Sequence, residues 1–178
     1  MNAIVIYKSK YGSTKAYAQW IGESLSCQVL DAKAVKASDL EKFDTIIYGG
    51  GLYAEVIAGV TLITKNYELL KDKKIAIFTT GLTPPSVRNY YDKLVLEKNF
   101  KNGVPENIKI FNFPGKMILD ELSLPHKTAI KALKKLMSKK ENPTEMEKLL
   151  IDLCDADGDF SDKSLITDLV SYIKSQDE

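Results

Sequence analysis

Five short apolar runs, each rich in β-branched residues and each followed by a stretch of helical character, constrain this chain more than any other feature. They are Asn2–Tyr7 (NAIVIY), Cys27–Ala32 (CQVLDA), Asp44–Gly49 (DTIIYG), Lys74–Thr79 (KIAIFT) and Asn107–Asn112 (NIKIFN). Continuous apolar character, in place of strict alternation, is the pattern of strands covered on both faces. The first helical stretch is Thr14–Leu25, with Ala16, Trp20, Ile21 and Leu25 at helical spacing. A shorter one follows around Ser38–Lys42, with Ser38 as its N-cap, then Gly59–Leu70 and Ser86–Leu96. The last is Ser161–Lys174, capped by Ser161. This alternation predicts an α/β fold, a three-layer doubly wound five-stranded parallel sheet, and right-handed crossovers leave it few topologies.

One segment breaks the rhythm. From Pro114 to Asp159 the chain carries helical patterns near Glu121–Lys139 and Pro143–Leu153, with breakers at Pro114, Gly115, Pro125 and Pro143. A five-stranded unit needs no such piece. It reads as a helical insertion after strand five, packed beside the sheet's carboxyl edge, where open α/β sheets bind ligands. The 178 residues are otherwise one domain, spanning 1–178 and long enough to bury a core.

Composition excludes several classes. The 25 basic and 24 acidic residues are interleaved and give a net charge of +1, so there is no nucleic-acid footprint. No apolar stretch approaches the roughly 20 residues of a membrane span, and MNAIVIY is too short for a signal peptide. Cys27 and Cys154 lie far apart, without a CxxC or a nearby histidine pair, so neither a disulfide framework nor a metal site is expected. These features together favour the cytoplasm.

In a doubly wound sheet the loops after strands one, three and four carry the site. The first is SKYGST: Ser9, Lys10, Tyr11, Gly12, Ser13 and Thr14. It follows a strand and opens a helix, whose positive end and backbone N–H groups make an anion site. Gly12 lets backbone approach a phosphate, and the hydroxyls of Ser9, Ser13 and Thr14 can donate to it. An ordinary serine-capped turn has similar residues. The second is GGGLYAEV, Gly49–Val56, in which three consecutive glycines, Gly49, Gly50 and Gly51, remove side-chain bulk ahead of Leu52 and beside Tyr53, whose ring can lie on a flat ligand. The third is TTGLTPP, where Thr79, Thr80 and Thr83 offer hydroxyls, Gly81 and Leu82 form the turn, and two prolines fix the exit. All three fall on one edge of one sheet.

Together these loops resemble a flavodoxin-like FMN site. SKYGST is similar to the flavodoxin phosphate pattern Thr/Ser-x-Thr-Gly-x-Thr: Ser9, Gly12 and Thr14 match, and Tyr11 replaces the central hydroxyl residue. Gly50–Tyr53 resembles the segment laid against the isoalloxazine ring, and Thr79–Thr83 the segment that touches its pyrimidine side. The resemblance implies strand order 2-1-3-4-5, bound FMN and electron transfer. A closer likeness is to the flavodoxin-domain group that includes menaquinone-dependent protoporphyrinogen oxidase. It shares an S-[KR]-x-G-x-T opening and an insertion after strand five, although FPGKMILDELSLPHK stands where that family has a basic-aromatic stretch. The balanced charge also departs from electron-shuttling flavodoxins, which are strongly acidic to dock on basic partners. A redox partner protein, or a small-molecule or quinone acceptor, is implied. The alternative from another class is a cofactor-free flavodoxin-fold binding module.

Other motifs have simpler explanations. Aligned as a calcium loop, Asp155–Asp162 puts its glycine fourth instead of sixth and Ile166 where the bidentate glutamate belongs; an acidic cap explains the run. His126, beside Pro125, reads as a surface or helix-start residue. The lysines of KALKKLMSKKE suit a solvated helix or a peripheral membrane contact. No G-x-G-x-x-G is present, and a receiver domain would need acids where Lys8–Ser9 and Gly49–Gly51 stand.

Overall fold

The computed structural model describes residues 2–175. Five strands, β1 (Ala3–Lys8), β2 (Gln28–Asp31), β3 (Thr45–Tyr53), β4 (Lys74–Gly81) and β5 (Ile108–Pro114), form a parallel sheet. Their order is β2-β1-β3-β4-β5, as expected, with one addition: Val56–Ile57 folds back antiparallel on the end of β3.

The strands alternate between two cores. Ile4, Ile6, Ile46, Tyr48, Ile75 and Ile77 face one layer, which includes the short helices α2 (Thr61–Thr64) and α3 (Tyr67–Leu70). Ala3, Val5, Ile47, Ala76 and Phe78 face the other, covered by α1 (Ser13–Leu25) and α7 (Thr167–Lys174). Both faces are apolar because both are covered, which is why the runs lacked alternation. Each fully buried Ile or Phe contributes about 1.5–3 kcal/mol.

The helices depart from expectation where local polar chemistry intervenes. The buried stripe of α1 is Thr14, Tyr17, Ala18, Ile21, Gly22 and Leu25. Trp20 lies at its rim, edge-on to Tyr17, whose ring stacks on Phe113 of β5 at 4.8 Å. Asp162 N–H donates to the Tyr17 hydroxyl (3.0 Å), which fixes the chain's return toward α7. Near residue 38 only a 3-10 turn forms, Ala37–Leu40, and Asp39 caps it by accepting from Lys36 N–H, so Ser38 is not the cap. The expected Gly59–Leu70 helix is split into α2 and α3, with Asn66 turning its side chain back to Leu62 O. The Ser86–Leu96 stretch starts late, at Arg88, and passes through a π segment, Tyr90–Val95, into α4 (Leu96–Asn99). Before α7, Asp162 and not Ser161 is the cap, because a carboxylate is the stronger acceptor; a 3-10 turn Lys163–Ile166 comes first.

After β5 the chain forms α5 (Leu124–Met137) and α6 (Glu145–Leu153). The segment is rooted by a two-residue antiparallel ladder, Lys116–Met117 with Gly158–Asp159. Thr144 and Glu147 form a reciprocal capping box at the start of α6. Among the described residues no helix is long and apolar enough to cross a membrane.

Candidate functional site

The link from β1 to α1 is built around Gly12. Its φ of +100° is a conformation that favours glycine, and it occupies the N-cap of α1 with no side chain capping the helix. The first-turn N–H groups therefore lack a side-chain acceptor at the helix's positive end, which makes an anion cradle. Ser9 Oγ accepts from Gly12 N–H (3.1 Å) and tightens the loop. A Cβ added at Gly12 would sit 3.7 Å from Lys116 Cε, so a cationic side chain flanks the cradle. Ser13 Oγ accepts from Lys116 N–H (2.9 Å), and the buried hydroxyls of Thr14 and Thr80 bond each other at 2.8 Å. The loop is thus tied both to β4 and to the segment that follows β5.

The glycine triplet is strand, not loop. A Cβ on Gly49 would lie 2.1 Å from the Phe78 ring, and one on Gly50 2.8 Å from Ala58 O, so packing requires both. Gly51 alone faces the site, with the Tyr53 ring over it, 3.1 Å from the position of such a Cβ. β3 runs on to Tyr53 because Ala54 and Glu55, at φ +47° and +61°, turn the chain straight back into Val56–Ile57. Asn99 braces this hairpin, accepting from Ile57 N–H (2.9 Å) and donating to Glu55 O (2.7 Å).

β4 likewise extends to Gly81. Buried Thr79 donates its hydroxyl to Asn112 Oδ1 (2.7 Å) and so faces β5. Leu52 packs on Gly81, whose carbonyl accepts from Gly115 N–H (2.8 Å). Thr83 is buried with its carbonyl accepting from the Tyr91 hydroxyl, and Leu82 is half-buried between them. Of the residues expected at the site, Ser9–Thr14, Gly51–Tyr53, Thr80 and Gly81 share the carboxyl edge. Thr79 and Gly50 are occupied by packing within the sheet.

Lys10 and Tyr11 turn toward α5. The Tyr11 hydroxyl lies 2.7 Å from His126 Nδ1 and 3.2 Å from Ser123 Oγ, and Ser123 N–H donates to it (3.3 Å). Lys10 Nζ donates to Ser123 Oγ (3.2 Å) and to His126 Nε2 (3.4 Å). The rings of Tyr11, Tyr53 and His126 meet pairwise, at centroid separations of 6.4, 5.5 and 5.3 Å. Burial pushes the Tyr53 phenol up to about 12, with Tyr11 adding to the effect, so Tyr53 stays neutral. Burial and the neighbouring Lys10 charge lower the pKa of His126. For Tyr11, burial pushes the phenol up, but its hydrogen bonds with Ser123 and the charge of Lys10 prevail, and its pKa ends below the ordinary value.

Sequence reasoning placed Tyr11 and Tyr53 in the site but missed Ser123, His126 and Lys116. The signal for Ser123 and His126 was present in Ser-Leu-Pro-His, a capping serine and N-terminal proline that open a helix of an unassigned segment. Nothing in the sequence says where that helix docks.

Residues 4–145 match the family model of the flavodoxin domain. Among curated proteins, none matches the chain. Among solved structures the chain is similar to a flavodoxin from the domain Archaea, at 19% identity and TM-score 0.48, covering 98% of this chain and 100% of that one. It is also similar to oxidised Flavodoxin 1 from Bacillus cereus, at 21% identity and TM-score 0.45, covering 64% and 84%. A third likeness is to the Trp repressor binding protein from Bacillus subtilis, at 12% identity and TM-score 0.47, covering 64% and 84%.

Proposed function

The chain belongs to the flavodoxin domain family, and from that premise we propose that it binds FMN and works as an oxidoreductase on a small molecule. The residues present fit the cofactor's phosphate. An uncapped helix N-terminus, Gly12 at positive φ and the short hydroxyls of Ser9 and Ser13 make a cradle without bulk. Bound there, FMN would supply the redox chemistry, and the protein would supply position and electrostatics. Gly51, Leu52, Tyr53 and Gly81 would line the ring.

One observation favours a small-molecule substrate over service as an electron carrier. A carrier needs a flat, open docking face beside its flavin. Here the α5–α6 segment reaches across the carboxyl edge. Ser123 and His126 meet the loop after β1 at one end, and Met146 packs on the core at the other, lining a small cavity with Val87. A quinone is the acceptor to try first. A protoporphyrinogen-oxidase-type activity is the first to assay, supported by the S-K-x-G-x-T opening and the position of the segment after β5. A cytoplasmic setting belongs to the same reading, since Cys27 and Cys154 are free thiols.

A second reading, a cofactor-free scaffold, draws on the Tyr53 ring over Gly51 and Leu52 against Gly81, which bring the two ring-lining segments into contact. Absorbance of the purified protein, followed by titration with FMN and FAD, separates the two. Visible flavin bands, tight FMN binding and at least about tenfold weaker binding by Gly12→Val are expected, because a β-branched residue cannot relax at that φ. A colourless protein that takes up no flavin sinks the redox reading and leaves the scaffold.

A further inference from the structure

We propose that the α5–α6 hairpin is a lid over the phosphate loop, held shut by a clasp of Lys10, Tyr11, Ser123 and His126 that closes only while His126 is neutral. The site it covers is the one read above as the FMN site, but the clasp itself is a property of this chain's side chains.

The hairpin is built to move as a unit. Neither α5 nor α6 contains a fully buried residue, and Leu124 is 78% exposed. Its root is the short Lys116–Met117 ladder, and its internal ties, such as Lys134–Asp155 and Lys140–Glu147, lie at the surface. Few apolar contacts and exposed polar ties are the marks of a segment that opens far below the free energy of global unfolding. It meets the sheet edge through Met146 at one end and the clasp at the other.

The clasp assigns the proton on His126. Lys10 has only donors, so Nε2 must accept from it. In a neutral ring Nδ1 then carries the hydrogen and donates to the Tyr11 hydroxyl, which in turn donates to Ser123 Oγ. A second proton on the ring would fall on Nε2, facing the Lys10 ammonium with no acceptor. The titratable groups facing His126 are Lys10 and Tyr11 from the phosphate loop and Tyr53 from β3. None of these side chains is a carboxylate that would favour imidazolium. The lowered pKa of His126 agrees in direction.

A base whose pKa is lower in the closed state than in the open one favours closure above its ordinary value of 6.5. As pH falls below that value the opening constant rises by up to about tenfold per unit, and it levels off below the closed-state pKa.

The test is amide hydrogen exchange of the flavin-free full chain, read as protection factors over Leu124–Met137 at pH 7.5 and 5.5. That correction removes the intrinsic pH dependence of exchange. Wild type is expected to lose protection about threefold to tenfold at the lower pH, while the sheet amides hold. His126→Gln keeps one acceptor for Lys10 and one donor for Tyr11 but does not titrate, so its protection should not change with pH. Tyr11→Phe should lower protection at both pH values. A wild-type protection factor that does not change, or a pH response that survives in His126→Gln, overturns the proposal. Because flavin is absent throughout, failure of FMN to bind would sink the reading of the site without touching this result.

Discussion

β4 and α5 are built on opposite terms. From Ile75 to Thr79 the strand is completely buried, between Ile46, Tyr48 and Ile108 on one face and Tyr17, Ile47 and Phe113 on the other. α5 has no buried residue and reaches the body of the protein through the side chains of its first turn. Burial at about 25 cal/mol per Å² makes the sheet the source of global stability. Exposed ion pairs, each worth about 0–1 kcal/mol, leave the hairpin to local equilibria. The candidate site lies where the two meet, so a rigid floor carries the cradle and a loosely held element covers it.

That contrast can be broken at its strong side first. Phe78→Ala removes the ring that packs on Gly49, Tyr17 and Phe113, and about 3–5 kcal/mol of global stability should go with it. Urea denaturation measures this, and a loss below 1 kcal/mol would mean that the sheet is not the stability core.

At the boundary, Thr14→Val strips Thr80 of its buried hydroxyl partner. The expected cost is about 1–3 kcal/mol by the same assay. The anchorage of the Ser9–Thr14 loop to β4 should loosen with it, seen as faster amide exchange in residues 12–16.

The smallest global effect is expected in the hairpin. Thr144→Ala deletes the capping box, which should cost α6 about 0.5–2 kcal/mol locally. Exchange in Glu145–Leu153 should quicken while the urea midpoint stays in place. A shifted midpoint would show that hairpin and sheet unfold together.

Much of the sheet was legible because a parallel strand covered on both faces must be apolar throughout, and β1, β3, β4 and β5 announce themselves by that pattern. Their ends were not. β3 and β4 continue through Gly49–Tyr53 and Thr79–Gly81, since glycines and threonines that resemble loop residues are here fitted to Phe78, Ala58 and Asn112. The caps Ser38 and Ser161 were misread because Asp39 and Asp162, carboxylates one residue further on, take the backbone donors instead.

By itself, then, the sequence determined the alternation of strand and helix, the parallel sheet and the glycine-bearing turn at Ser9–Thr14 that opens α1. Those depend on local periodicity and on glycine's access to positive φ. The tertiary structure decided what closes over that turn. Ser123 and His126 lie more than a hundred residues from Tyr11. Their meeting depends on the path of the chain out of β5 and through the Lys116–Met117 ladder, a geometry that no local pattern encodes.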